Sequence, residues 1–71
     1  MTTTIKSETI DNYDVRMQVQ NKCGFEYYSV SMYYYGRECA GNVYELNERR
    51  NALACFRRYV KKVKLLEGWL R

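Results

Sequence analysis

The sequence contains no histidine and no proline among its 71 residues. Histidine is the commonest general base and the commonest transition-metal ligand, so its absence removes the usual starting points for catalysis and metal binding. No glycine-rich phosphate loop is present, and a cysteine nucleophile would have no histidine to activate it. We therefore expect a protein that is not an enzyme, with no catalytic residue, metal site, cofactor or small-molecule substrate.

The sequence lacks an even set of cysteines, since it contains three. Cys23, Cys39 and Cys55 form no C-x-x-C pair, so their spacing favours neither a zinc site nor a disulfide framework. If residues 25–35 form a strand, Cys23 and Cys39 lie at its opposite ends, too far apart to bond. We expect Cys55 to be a small core residue and the other two to be loop thiols.

Long apolar runs are also missing. The first ten residues, MTTTIKSETI, lack the apolar segment of a secretory signal. Nowhere does the chain approach the roughly 20 apolar residues that a membrane span requires. We expect a cytoplasmic protein that does not associate with membranes, in a reducing compartment where thiols stay free.

In two stretches, apolar and polar residues alternate with the period of a β-strand. Over residues 13–20, apolar residues occupy the odd positions and polar residues the even ones, which indicates a half-buried strand. The sequence NKCG, residues 21–24, predicts a turn, because Asn and Gly tolerate the backbone angles of turns. A second strand is predicted over residues 25–35.

The flanking segments are less regular. The sequence GRECAGN, residues 36–42, follows the second strand and breaks the alternating pattern with two glycines. Residues 43–46, VYEL, could form a short third strand with Tyr44 and Leu46 inward. Residues 1–12 are rich in threonine, and we interpret them as flexible or as a weak extension of the first strand.

The period changes at Asn47, which is a favourable helix N-cap. A long helix is predicted over about residues 48–67, with Gly68 as its stop and Trp69 packed back near Val63. At 100° per residue its apolar side chains fall in one stripe. They are Ala52, Leu53, Cys55, Phe56, Tyr59, Val60, Val63, Leu66 and Leu70.

Together these patterns predict an α+β fold. A small antiparallel sheet of two or three strands (about 13–20, 25–35 and 43–46) packs against one long C-terminal helix (about 48–67), and residues 13–71 form one ββ(β)α domain. A chain of 71 residues is close to the lower limit for independent folding. We therefore expect a homodimer, in which a second copy enlarges the core.

Eight tyrosines set this composition apart, and strand parity decides where those of the second strand point. Val30 and Met32 suit the helix-facing side better than the two serines opposite them, so Tyr28 and Tyr34 are predicted to face inward. The outward face then contains Arg16, Gln18, Gln20, Tyr27, Ser29, Ser31, Tyr33 and Tyr35.

Tyrosine and arginine are enriched at binding hot spots, so the outward face predicts a small non-enzymatic protein that binds another protein. The predicted contact residues are Arg16, Tyr27, Tyr33 and Tyr35. The same face could instead form the homodimer, or could bind nucleic acid by stacking on bases or by contacting base edges.

Charge is distributed unevenly. Residues 1–47 have four cations against six carboxylates, whereas residues 48–71 have eight cations against two. The basic helix face either keeps the domain soluble or binds nucleic acid. The alternative function is therefore that of a nucleic-acid-binding module of a mobile element or regulator. Its predicted contact residues are Arg50, Arg57, Arg58, Lys61 and Lys64.

Overall fold

A computed structural model describes residues 2–70, with side chains for residues 2–66. It confirms an α+β fold in which one C-terminal helix packs on an antiparallel sheet. The sheet has four strands rather than two or three, in the spatial order β1-β2-β3-β4. The elements are β1 (Thr2–Ile10), β2 (Tyr13–Lys22), β3 (Phe25–Tyr34), β4 (Arg37–Glu45), a 3-10 turn (Leu46–Glu48) and helix α1 (Arg49–Leu70).

Two-residue turns join the strands. In the β2–β3 turn Cys23 and Gly24 have φ of 55° and 83°, and in the β3–β4 turn Tyr35 and Gly36 have φ of 51° and 80°. Positive φ at both central residues is what a type I′ hairpin turn requires, and its twist matches that of the flanking strands. The turns therefore hold consecutive strands in tight antiparallel pairs.

The expectation for residues 1–12 was wrong, because residues 2–10 form a full edge strand. β1 pairs with β2 from Thr2 opposite Gln20 to Ile10 opposite Tyr13, with a bulge between Thr4 and Lys6. The bulge breaks the period-two pattern, which explains why the sequence here does not alternate like a strand.

The third predicted strand, 43–46, is the end of a longer one. β4 begins at Arg37, directly after the Tyr35–Gly36 turn, so GRECAGN is turn and strand rather than an interruption. A bulge at Cys39 shifts its register against β3, and this thiol lies in the strand rather than in a loop. Leu46, predicted to face inward, lies in the 3-10 turn and is exposed.

The core lies between α1 and one face of the sheet, as the parity of β3 predicts. Its buried side chains are Val15, Met17, Tyr28, Val30, Met32, Ala52, Cys55, Phe56, Val60 and Val63. Cys55 is confirmed as a core residue, and all three cysteines are free thiols. Tyr34 points to the helix side but is 41% exposed, with its ring centroid 4.6 Å from that of Tyr13.

The helix boundaries differ from the prediction by a few residues. Asn47 is inside the 3-10 turn instead of capping the helix, and the Glu48 carboxylate accepts the backbone N–H of Glu45 at 3.0 Å. At the other end α1 continues through Gly68 to Leu70. The predicted packing of Trp69 lies outside the described side chains. Within residues 2–70, no helix combines the length and apolar character needed to cross a bilayer.

Candidate functional site

The sheet face that points away from α1, here called the open face, contains most of the predicted contact residues. β2 contributes Arg16 to it, and β3 contributes Tyr27 and Tyr33. Tyr27 and Tyr33 are six residues apart along β3, which separates them by about 20 Å. Both rings are half-buried, so each combines contact area with a fixed position.

Arg16 and Tyr33 form one end of the open face. The Arg16 guanidinium carbon lies 4.6 Å from the centroid of the Tyr33 ring, a cation–π contact. Arg16 Nη2 also donates to Asp14 Oδ2 at 3.1 Å. The hydrogen bond from Thr9, followed by that from Arg16, lowers the pKa of Asp14, so this carboxylate stays ionised at neutral pH and orients the arginine.

Gln20 and Tyr27 form the other end. The Tyr27 hydroxyl donates to Gln20 Oε1 at 3.1 Å, and Gln20 Nε2 donates to the Ser29 hydroxyl at 2.8 Å. The amide therefore has a partner on each side, which fixes its orientation. The tyrosine ring is held in place by the same bridge, so little side-chain freedom remains to be lost on binding.

Between these ends lies a shallow groove of about 340 Å³, here called the serine groove. Its floor consists of Ser29, Ser31 and Gly41, because Gly41 of β4, which has no side chain, lies directly opposite Ser31 of β3. Ser29 and Ser31 are only 8% and 6% exposed, although none of the described elements packs over this face. Neighbouring large side chains shield them, so the groove has polar hydroxyls at its floor and aromatic rings at its ends.

Tyr35 does not belong to the open face, contrary to prediction. It lies in the β3–β4 turn, where strand parity no longer applies, and it is 68% exposed. Its hydroxyl accepts a hydrogen bond from the Asn12 side chain at 2.8 Å, and its ring contacts Tyr34 edge-on. It therefore joins two neighbouring turns at one end of the sheet.

Sequence reasoning missed an apolar patch that continues the open face. Phe25 and Val43 are 76% and 66% exposed, and they flank Tyr27 in a hollow of about 470 Å³ with Glu26 and Glu45 at its rim. Phe25 is two residues before Tyr27 on β3, so strand alternation alone predicts that both side chains lie on the same face. Val43 could be placed only after β4 was recognised.

The predicted helix contacts separate into two groups. Arg50, Arg57, Lys61 and Lys64 fall within a narrow sector of the helix, whereas Arg58 lies on the opposite flank beside Asn42 and Lys62. All five predicted cations are exposed, and none is in an ion pair with another described residue. Among the side chains described, residues 2–66, this gives one row of four cations without a carboxylate partner and a separate fifth cation.

A polar cluster surrounds the buried thiol beneath β4. Asn42 Nδ2 donates to the Tyr59 hydroxyl at 3.1 Å and contacts Cys55 Sγ at 3.7 Å. A hydrogen bond with Cys55 and burial raise the pKa of Tyr44, and burial followed by the neighbouring Cys55 raises the pKa of Tyr59. The cluster satisfies polar groups at the edge of the core, and it leaves the thiol 1% exposed.

Comparison of the chain with protein-family models, curated proteins and solved structures found no match. Among the described residues, no three histidine, cysteine or carboxylate side chains come together as metal ligands would.

Proposed function

We propose that this chain is a small cytoplasmic, non-enzymatic binding protein that docks another protein on its open face. The observation that carries the proposal is the fixed geometry at both ends of the serine groove. Arg16 is held by Asp14 and stacked on Tyr33, and Gln20 bridges Tyr27 to Ser29. Pre-oriented aromatic and arginine side chains lose little entropy on binding, which is typical of interface hot spots.

Quantitative capture of partners from an extract of the native host tests this proposal. We expect the double variant Arg16→Gln/Tyr33→Ser to lose most of the captured protein, since it removes both members of the cation–π pair. Tyr35→Ser is the matched control, because it removes an exposed tyrosine that lies in a turn, away from the groove. Equal capture by wild type and the double variant, both folded by circular dichroism, would contradict the proposal.

The open face also supports the expected homodimer. Phe25 and Val43 leave apolar surface exposed beside the serine groove, and burying it against a second copy would enlarge a small core. Sedimentation at high micromolar concentration should give twice the 8.6 kDa mass of one chain. Val43→Lys should return the mass to that of one chain. A wild-type mass of 8.6 kDa would reject the dimer.

Nucleic-acid binding is the second candidate function, and the row Arg50, Arg57, Lys61 and Lys64 favours it. Uncompensated cations in a row attract a polyanion and release its counterions, so affinity should fall steeply with salt. Labelled DNA and RNA titrated at two salt concentrations test this function. Absence of binding at low salt would remove it.

A further inference from the structure

A groove of about 390 Å³ runs between β1 and α1 on the helix side of the sheet, and we call it the β1–α1 groove. Phe56 and Val60, 7% and 8% exposed, contribute apolar lining. Glu8 is the one carboxylate in its lining among the residues described. Cations reach the groove from both elements, one from the strand and three from the helix: Lys6, Arg57, Lys61 and Lys64.

The helix contributes its cations in a row. Arg57, Lys61 and Lys64 occupy one flank of α1, and at 1.5 Å rise per residue they extend over about 10 Å. Each strand of a duplex advances about 3.4 Å per nucleotide, so a row of this length faces several phosphates. No described carboxylate pairs with these three side chains.

The bulge in β1 places Lys6 on the same side of the sheet as the helix cations. Thr4 lies opposite Gln18 on the open face, and simple alternation would put Lys6 there as well. The extra residue at Ile5 reverses the alternation, so Lys6 lies opposite the buried Met17 and its side chain lines the groove. Bulges commonly re-aim side chains in this way.

We propose that the β1–α1 groove binds the sugar–phosphate backbone of a nucleic acid, with Lys6 as a contact residue and Glu8 as an opposing charge. This inference rests on the second candidate function and extends it from the helix to the strand. A regular row of cations matches the evenly spaced charges of a phosphodiester chain better than the irregular charges of an acidic peptide. Phosphate contacts bind without reading sequence.

Fluorescence anisotropy with the full chain tests the groove. The probes are a mixed-sequence single-stranded DNA, its duplex and a poly-glutamate peptide. At 0.1 M salt, Lys6→Gln should weaken DNA binding about five- to eightfold, the loss of one phosphate contact, and should reduce the salt slope by about 0.7 to 0.9. Glu8→Gln should strengthen binding about two- to fivefold, because it removes a repulsive charge.

Lys62→Gln is the matched control, since it makes the same charge change on the opposite flank of α1 and should alter affinity less than twofold. If Arg57→Gln weakens DNA binding while Lys6→Gln and Glu8→Gln change nothing, the groove is rejected and the helix alone binds. An equal loss for Lys62→Gln, or tighter binding of poly-glutamate than of DNA, also rejects it. Absence of DNA binding rejects both the groove and the second candidate function.

Discussion

The central residues of β3 are buried on both faces of the sheet, but by different means. On the helix side, α1 covers Val30, which is fully buried. On the open face Ser31 is 6% exposed although no described segment packs over it, because it is small and the longer side chain of Arg16 lies directly across from it on β2. The comparison shows that a single sheet can shield a polar stripe with its own side chains, and that low exposure does not by itself identify the core.

The largest expected effect contrasts two tyrosines on opposite faces. Tyr28→Ser should cost about 3–5 kcal/mol, as truncation of a buried aromatic does, and should come close to unfolding so small a domain. Tyr33→Ser should cost about 1 kcal/mol, since its half-buried ring lies on the face opposite the core and its loss mainly removes the cation–π contact with Arg16. Urea denaturation measures both, and similar losses would mean that the faces are wrongly assigned.

A second contrast compares one buried residue on the helix side of the sheet, Met17, with one on the open face, Ser31. Met17→Ala should lower the free energy of unfolding by about 2–5 kcal/mol, because it leaves a cavity under α1. Ser31→Ala should change it by about 1 kcal/mol or less, since alanine fills nearly the same space and the change removes a single hydroxyl from the open face. A Ser31→Ala variant as unstable as Met17→Ala would show that the serine groove is part of the core.

Gln20 bridges Tyr27 and Ser29 at one end of the serine groove, and we expect its removal to have a smaller effect on stability. Gln20→Ala should destabilise the domain by about 1–3 kcal/mol, because it leaves the Ser29 hydroxyl and the Tyr27 hydroxyl without their partner. Gln18→Ala is the control on the same strand and face, and it removes only an exposed bond to Thr4, with an expected change within about 0.5 kcal/mol. Equal losses of stability for Gln20→Ala and Gln18→Ala would mean that the Gln20 bridge does not stabilise the domain.

The smallest effect concerns pH. The raised pKa values of Tyr44 and Tyr59 mean that the fold favours their neutral forms. Their contribution to stability is therefore intact below the usual tyrosine pKa of about 10 and is lost as the pH rises above it. Ultraviolet titration should show a late component that the double variant Tyr44→Phe/Tyr59→Phe lacks. An unchanged titration curve would contradict this.

Part of what was missed was visible in the sequence. Turn residues recur at intervals of twelve, at 11–12, 23–24 and 35–36, and leave strands of about ten residues between them. Regular spacing of turn signals is typical of a β-meander. The Thr-rich start and Gly41 within β4 hid this regularity, because the residue types in these two stretches do not favour a strand.

Local periodicity was enough to predict the helix, the two central strands and the faces on which Tyr28 and Tyr33 lie, because each depends on a period within one segment. Three features became visible only in the folded chain: residues 2–10 complete the sheet, Tyr35 leaves the open face, and a bulge brings Lys6 beside the cations of α1. These features depend on pairing between distant segments. One inserted residue in an edge strand changes which face a side chain occupies, and no local period records that change.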